Sequence, residues 1–260
     1  MILQFRTSFL AIGGLVAVAA MPVAAQTPSP APSSGAQPNM STETGVPRTT
    51  FKFQDEVVAG PPKSFAAIVG HWTIAAEGEN RVLAVDGRAW KEGQVATGIA
   101  EQSRALYGER YAEFLDNVKA YAYYPYAIAQ GVDDFRDGEI SVRFKAISGR
   151  IDQAAGILFN VKPNGNYLTV RANPLENNLV LWKFEKGRRD SVKWIRDTPT
   201  PTRQWHEMRV VVRGGTVKGY LNGKLYLTHT LPAPVSGKVG LWSKADSYVY
   251  FDNFTVSPVR

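Results

Sequence analysis

The chain has 260 residues, a formal net charge of +7 and no cysteine. Without cysteine there is no disulfide, no thiol nucleophile and no thiolate metal site. At 44% hydrophobic and 11% aromatic residues, it holds enough apolar material for a substantial core.

Residues 1–25 carry one cation, Arg6, an apolar run from Phe9 to Ala20, and small residues at Val23 and Ala25. That is the pattern of a secretory signal peptide cut after Ala25. The apolar run is shorter than the roughly 20 residues a spanning helix needs. The sequence thus predicts export, to the periplasm or beyond, and no transmembrane segment in the mature chain. Export argues against nucleic acid as a partner. Residues 26–50, rich in Pro, Ser and Thr, predict a disordered tether, since they cannot bury enough apolar surface to offset the entropy of ordering. Residues 51–260 read as one domain.

HWTIAAE and RVLAVDG, from His71 and Arg81, predict an opening pair of strands. At about 100–122 the pattern changes. Tyr107, Tyr111, Phe114, Val118 and Tyr121 recur at three- and four-residue steps, which predicts an amphipathic helix inserted into a strand-rich domain. From Asp133 the period is two. In DGEISVRFKAISG, Ile140, Val142, Phe144 and Ala146 take one face, and Glu139, Ser141, Arg143 and Lys145 the other. Turns are predicted at Pro163-Asn164-Gly165, Glu185-Lys186-Gly187, Gly214-Gly215 and Asn222-Gly223. Many short antiparallel strands between such turns predict an all-β, two-sheet jelly-roll sandwich.

The ordered segments DGEISVRFK, AAGILFNVKPNGNYLTVRA, NNLVLWKFEKG, WHEMRVVVRGGTVKGYLNGKLY and GKVGLWSKADSYVYFDNFTV resemble the concanavalin A-like lectin/glucanase superfamily. Within it they resemble the laminin-G-like group that includes the 3-keto-disaccharide hydrolase (DUF1080-type) domains. The resemblance implies two packed sheets, one concave and used for saccharides or other polar ligands. It implies no single activity, because this fold hosts lectins, glycosidases and adhesion modules. The glucanase motif E-x-D-x-x-E is absent. Asp137 and Glu139 would share a strand face, but Gly138 between them predicts a turn.

Candidate ligand-binding residues follow from alternation and from the resemblance. Tyr167, Thr169 and Arg171 share one strand face, with Leu168 and Val170 on the other. The resemblance points Asn160 into the groove, with Leu158 on its face, and places Trp242 and Lys244 there too. Trp182 alternates with Leu181, so one of the two is buried. Arg171, in mid-strand, needs a partner, because an unpaired buried charge costs several kcal/mol. Glu176 is available across the loop RANPLENN, where Arg171, Asn173, Glu176 and Asn177 would form one hydrogen-bonded rim. The aromatic residues have the alternative role of core packing, and the rim that of stiffening its loop. Asp133 and Asp134, joined by Asp252, would suit a structural calcium; no other cofactor is indicated. Lys183, Lys186, Arg188, Arg189, Lys193 and Arg196 surround one hairpin, as a solvated face or as a basic rim for an anionic glycan, lipid headgroups or another surface. The functional expectation is an exported carbohydrate-binding domain. The alternatives are a glycoside-cleaving enzyme of the 3-keto-disaccharide kind and a surface-interaction domain.

Overall fold

The predicted two-residue alternation appears as strands in nearly every segment where it was found. The computed structural model describes residues 47–91, 104–105, 108, 124–186 and 188–259. Its strands are β1 (Thr49–Phe51), β2 (Phe65–Val69), β3 (Trp72–Glu77), β4 (Asn80–Asp86), β5 (Tyr126–Ala129), β6 (Asp137–Ser148), β7 (Ala155–Val161) and β8 (Tyr167–Asn173). They continue as β9 (Asn178–Glu185), β10 (Arg188–Arg196), β11 (His206–Arg213), β12 (Thr216–Leu221), β13 (Lys224–Thr230), β14 (Lys238–Trp242) and β15 (Tyr248–Val259). One sheet has the order β13-β12-β11-β6-β15-β4-β3, with β1 also paired to β15; the other runs β10-β9-β8-β7-β14-β5-β2. The two form an antiparallel jelly-roll sandwich.

The main core lies between the sheets. Ile140, Val142, Phe144 and Ala146 of β6 enter it from one side, and Leu168, Val170 and Ala172 of β8 from the other. A second apolar cluster occupies the far face of the seven-stranded sheet: Tyr126, Ile128, Leu158, Tyr167, Phe184 and Trp242. The inner strands of that sheet are therefore buried on both faces, and every residue of β8 is buried. Two-sided burial explains why β8 and β9 read as almost continuous apolar runs rather than clean alternation.

The turn chemistry is as the sequence predicts. Asn222 and Gly223 join β12 to β13 with φ of 49° and 79°, the paired left-handed geometry that a two-residue hairpin requires. Gly214 and Gly215 do the same between β11 and β12, at 51° and 80°.

Two expectations are corrected. β6 begins at Asp137, so no turn separates Asp137 from Glu139. The Asp137 carboxylate instead accepts from the Gly214 N–H (2.9 Å) and that of Glu139 from Arg209 Nη1 (2.9 Å). The sandwich also begins two residues inside the stretch read as tether, because Thr49 and Thr50 pair with Val256 and Thr255 of β15. The helix expected at 100–122 lies outside the described residues except for Arg104, Ala105 and Gly108, and the signal peptide and most of the tether lie outside them too.

Candidate functional site

RANPLENN is a tight hairpin. Asn173 pairs with Asn178, and the four residues between them reverse the chain. Asn177 sits at φ 50°, a left-handed conformation that asparagine tolerates. The Asn173 side chain accepts from the Leu175 N–H (3.2 Å), a local Asx-type contact that sets the turn.

Arg171 projects from β8 onto the far face of the seven-stranded sheet and is 1% exposed. Its Nη1 donates to Asn178 Oδ1 (2.7 Å) and Glu176 Oε2 (3.1 Å), and its Nη2 to the same Glu176 oxygen (3.0 Å). Asn178 Nδ2 also donates to Glu176 Oε2, at 2.8 Å. The pairing of Arg171 with Glu176 is the one the sequence predicts. Burial pushes the Arg171 guanidinium pKa down, opposed by the charges of Glu176 and Asp152. Burial alone would raise the Glu176 carboxyl, but Arg171 and the bond from Asn178 outweigh it and hold the group below its ordinary value.

Two loops complete this corner. Asp152, between β6 and β7, is fully buried; Asn173 Nδ2 donates to its Oδ1 (2.6 Å) and the Lys244 ammonium pairs with its Oδ2. Lys244, between β14 and β15, also lies 4.0 Å from Glu176 Oε1. Burial pushes the Asp152 carboxyl up, with Lys244 and Arg171 opposing. Asp246 holds the Asp152 loop in place: its carboxylate accepts from the backbone N–H groups of Arg150 (2.7 Å), Ile151 (3.0 Å) and Asp152 (2.9 Å).

Toward the edge strand β10 the corner becomes aromatic and basic. The Trp182 ring meets both arginines, with the Arg189 Cζ 4.0 Å and the Arg171 Cζ 5.7 Å from its centroid. Trp194 of β10 meets Trp182 edge-on at 5.3 Å and is 42% exposed. Tyr124 stacks on Trp242 at 5.7 Å and lies 5.0 Å from the Arg189 Cζ. In this corner three buried N–H donors have no hydrogen-bond acceptor among the described residues: Arg171 Nε, Trp182 Nε1 and Arg189 Nη1.

Of the residues singled out from sequence, Arg171, Asn173, Glu176 and Lys244 do converge. Asn173 joins through Asp152 rather than through Arg171. Asn177 contributes its carbonyl, to the Thr198 N–H at 3.2 Å. Tyr167 and Trp242 are on the predicted face but inside the second apolar cluster, where Trp242 Nε1 donates to Tyr167 Oη (3.0 Å); they pack rather than offer an open platform. Trp182 and Leu181 are both buried, Leu181 between the sheets and Trp182 on the far face. Asn160 departs from alternation: its φ is 56°, the register with β14 shifts there, and its Oδ1 accepts from the Ser236 N–H at 3.0 Å. It lines a separate cleft of about 280 Å³ with Lys162, Lys183 and Phe184.

The predicted calcium ligands are not brought together. Asp133 pairs with Lys238; Asp134 takes Arg136 (2.8 Å) and Ser236 (3.0 Å); Asp252 takes Asn80 (3.1 Å). Among the described residues no group of three or more acidic or imidazole side chains is gathered. Each carboxylate has a local donor instead, and a hard cation requires several oxygens at once. Sequence reasoning missed Asp152, Asn178, Arg189 and Trp194 as members of the corner.

A family model described as 3-keto-alpha-glucoside-1,2-lyase-like domain matches residues 126–257, just over half of the chain. No curated protein matches. Among solved structures, carbohydrate binding module CBM66 from Bacillus subtilis aligns at 15% identity and a TM-score of 0.52, covering 75% of this chain and 96% of that one. A Crh5 transglycosylase aligns at 12% identity and 0.49, covering 83% and 86%. A Bacillus licheniformis beta-glucanase aligns at 12% and 0.39, covering 51% and 71%. At such identities likeness speaks to the fold alone, and the first of these carries the jelly-roll assignment.

Proposed function

The chain belongs to the family of 3-keto-alpha-glucoside-1,2-lyase-like domains, and from that premise we propose that it is an exported protein that binds a saccharide at the β8–β9–β10 corner. The observation that carries the reading is the buried set Arg171, Asp152, Asn178 and Lys244, opening through Glu176 toward the exposed ring of Trp194. Fixed polar groups beside an aromatic surface are what a sugar needs, one for its hydroxyls and the other for its C–H face. The structural relative named as a carbohydrate binding module supports the same reading through its fold.

The test is a thermal-shift and calorimetric screen of the mature chain against neutral oligosaccharides and 3-keto glucosides. A sugar at 100-fold excess over Kd raises stability by about 2.7 kcal/mol. Trp194→Ala, at an exposed edge position, should weaken a binding sugar about tenfold or more while leaving the melting transition nearly unchanged. Binding that is indifferent to Trp194 and to Glu176→Gln alike would place the ligand elsewhere.

A second reading, cleavage of a 3-keto glucoside, is favoured by the family and by one feature of the site. Glu176 has 35% of its side chain exposed, is held ionised by Arg171, and keeps Oε1 clear of the hydrogen bonds that occupy Oε2. A ketone at C3 acidifies the C2 proton. A carboxylate that removes it allows the C1–O bond to break, a C1–C2 double bond to form, and the leaving oxygen to take up a proton. Lys244, 12% exposed and 4.0 Å from Glu176 Oε1, is placed to supply that proton. Turnover of a 3-keto glucoside that Glu176→Gln abolishes, with binding retained, supports this reading; turnover unchanged in that variant excludes Glu176 as the base.

A further inference from the structure

We infer that the saccharide bound at this corner carries a carboxylate, seated between Arg171 and Arg189 against the Trp182 N–H. The inference rests on the saccharide reading and adds the charge of the ligand. Three observations carry it.

The first is the set of unpaired donors. Arg171 Nε, Arg189 Nη1 and Trp182 Nε1 are buried and have no acceptor. Leaving a buried N–H without a partner is unfavourable, and such groups are rare in native structures. Here three belong to residues grouped about one indole ring, with the guanidinium carbons 4.0 and 5.7 Å from its centroid. Two guanidinium forks and an indole N–H present donors only. A ligand matching them offers acceptor oxygens, and a planar carboxylate fits a guanidinium edge with two of them.

The second is charge. Arg171, Arg189 and Lys244 stand against Asp152 and Glu176. Glu176 is engaged by Arg171 and Asp152 by Lys244, while Arg189 has cation–π contacts with Trp182 and Tyr124 and no carboxylate partner among the described residues. Among the described residues of the corner one positive charge is left over, and it is partly desolvated. A monoanion balances it.

The third is access. β10 is the edge strand of its sheet, and its side chains Arg188, Ser191, Lys193, Trp194 and Arg196 are exposed. A sugar ring resting on Trp194 would lie beside the Trp182 ring, which is 5.3 Å from Trp194 and 4.0 Å from the Arg189 Cζ. The additional cations on this strand raise the local concentration of an anionic ligand.

The experiment titrates the mature chain calorimetrically with matched pairs: methyl glucoside and methyl glucuronide, methyl galactoside and methyl galacturonide, methyl mannoside and methyl mannuronide. At low ionic strength one uronide should bind about tenfold or more tightly than its neutral partner, and added sodium chloride should narrow the gap. Arg189→Gln should bring that pair to within about twofold of each other without weakening the neutral sugar, and Arg189→Lys should restore part of the preference. Arg189 is the position of choice because removing Arg171 would strand Glu176 and Asn178 in a buried network. Near-unfolded variants are recognised by loss of the melting transition, and the wild-type preference and its salt dependence decide the matter without them. Equal binding within every pair, or tighter binding of neutral members, overturns the carboxylate inference and leaves the saccharide reading intact. A uronide preference that survives Arg189→Gln also overturns it, since the anion then sits elsewhere. No binding by any of the six, together with no binding in the neutral and 3-keto screen, overturns both.

Discussion

Replacing Arg171 by methionine keeps the aliphatic stem in place and deletes a charge with three hydrogen bonds. Breaking a fully buried ion pair costs about 3–5 kcal/mol, because the remaining partner is left uncompensated. Glu176 is not fully buried: 35% of its side chain is exposed and Asn178 still donates to it. Solvent therefore recovers part of the loss, and the expected destabilisation is about 2–3 kcal/mol. Glu176→Gln keeps an acceptor oxygen for Arg171 and should cost about 1 kcal/mol. Because the two residues share a network, the double variant should lose less than the sum of the singles, with a coupling of about 1–2 kcal/mol. The assay is urea unfolding of the mature chain and its three variants, compared at constant m. A loss below about 0.5 kcal/mol for Arg171→Met, or additivity of the two substitutions within about 0.3 kcal/mol, would refute the claim that this pair organises the corner.

Three other outcomes follow from the same coordinates. Asp246 is held below its ordinary 3.8, burial being outweighed by three backbone N–H bonds, and Glu176 below 4.5. A lowered folded value means stability that is full above the ordinary value and lost as pH falls through the folded one. Asp152, raised by burial, runs the other way. The urea midpoint should therefore decline as pH drops below 4.5, and Asp246→Asn should flatten that decline; an unchanged pH profile in the variant would count against the loop anchor. Gly240→Ala puts a methyl 2.0 Å from the Ala127 carbonyl oxygen, a backbone atom of the paired strand that cannot step aside. It should cost more than about 3 kcal/mol in the same melts, and a loss under about 1 would contradict the close β14–β5 approach. Tyr167→Phe deprives Trp242 Nε1 of its acceptor; the expected cost is about 1–2 kcal/mol, read as a lower melting temperature with unaltered far-ultraviolet circular dichroism.

The sandwich was legible because its signals are local. Alternation in DGEISVRFKAISG, the Asn222-Gly223 turn and the opening strand pair each follow from a few neighbouring residues. The Arg171–Glu176 pair was legible for the same reason, since five residues separate the partners across one turn. What failed, or was missing, was non-local. Asp152 reaches Asn173 across 21 residues and Lys244 across 92, and nothing in SGRIDQAAG marks it as a buried acid. Asn160 was placed in the groove by the resemblance, with Leu158 on its face by alternation, and a left-handed residue at φ 56° breaks that alternation. Asp133, Asp134 and Asp252 stand apart because proximity in sequence, as in Asp133-Asp134, says nothing about which cations the fold brings beside each carboxylate. Tyr167 and Trp242 were put on the correct face, but a face is not a surface: alternation cannot tell whether the outer side of a sheet is open or packed.

That last distinction decides where a ligand can lie. Tyr124, Tyr126, Tyr167, Phe184 and Trp242 fill the far face of the seven-stranded sheet with contacting aromatic rings, from the 4.7 Å stack of Tyr167 on Phe184 to the 5.7 Å stack of Tyr124 on Trp242. Those side chains occupy the sheet face on which the resemblance had placed the sugar. Open aromatic surface and available donors coincide instead at the β9–β10 margin, where Trp194 is exposed and Arg189 has no carboxylate partner among the described residues. Selectivity would then be written mainly in the outward side chains of Arg188–Arg196, an edge strand from which Val192 and Ile195 pack against the main core. Exchanging the outward side chains of β10 should change which sugar binds while the melting temperature stays nearly constant. A β10 exchange that instead unfolds the sandwich would show that the strand is part of the scaffold, and the site would have to be sought in the Glu176–Lys244 opening alone.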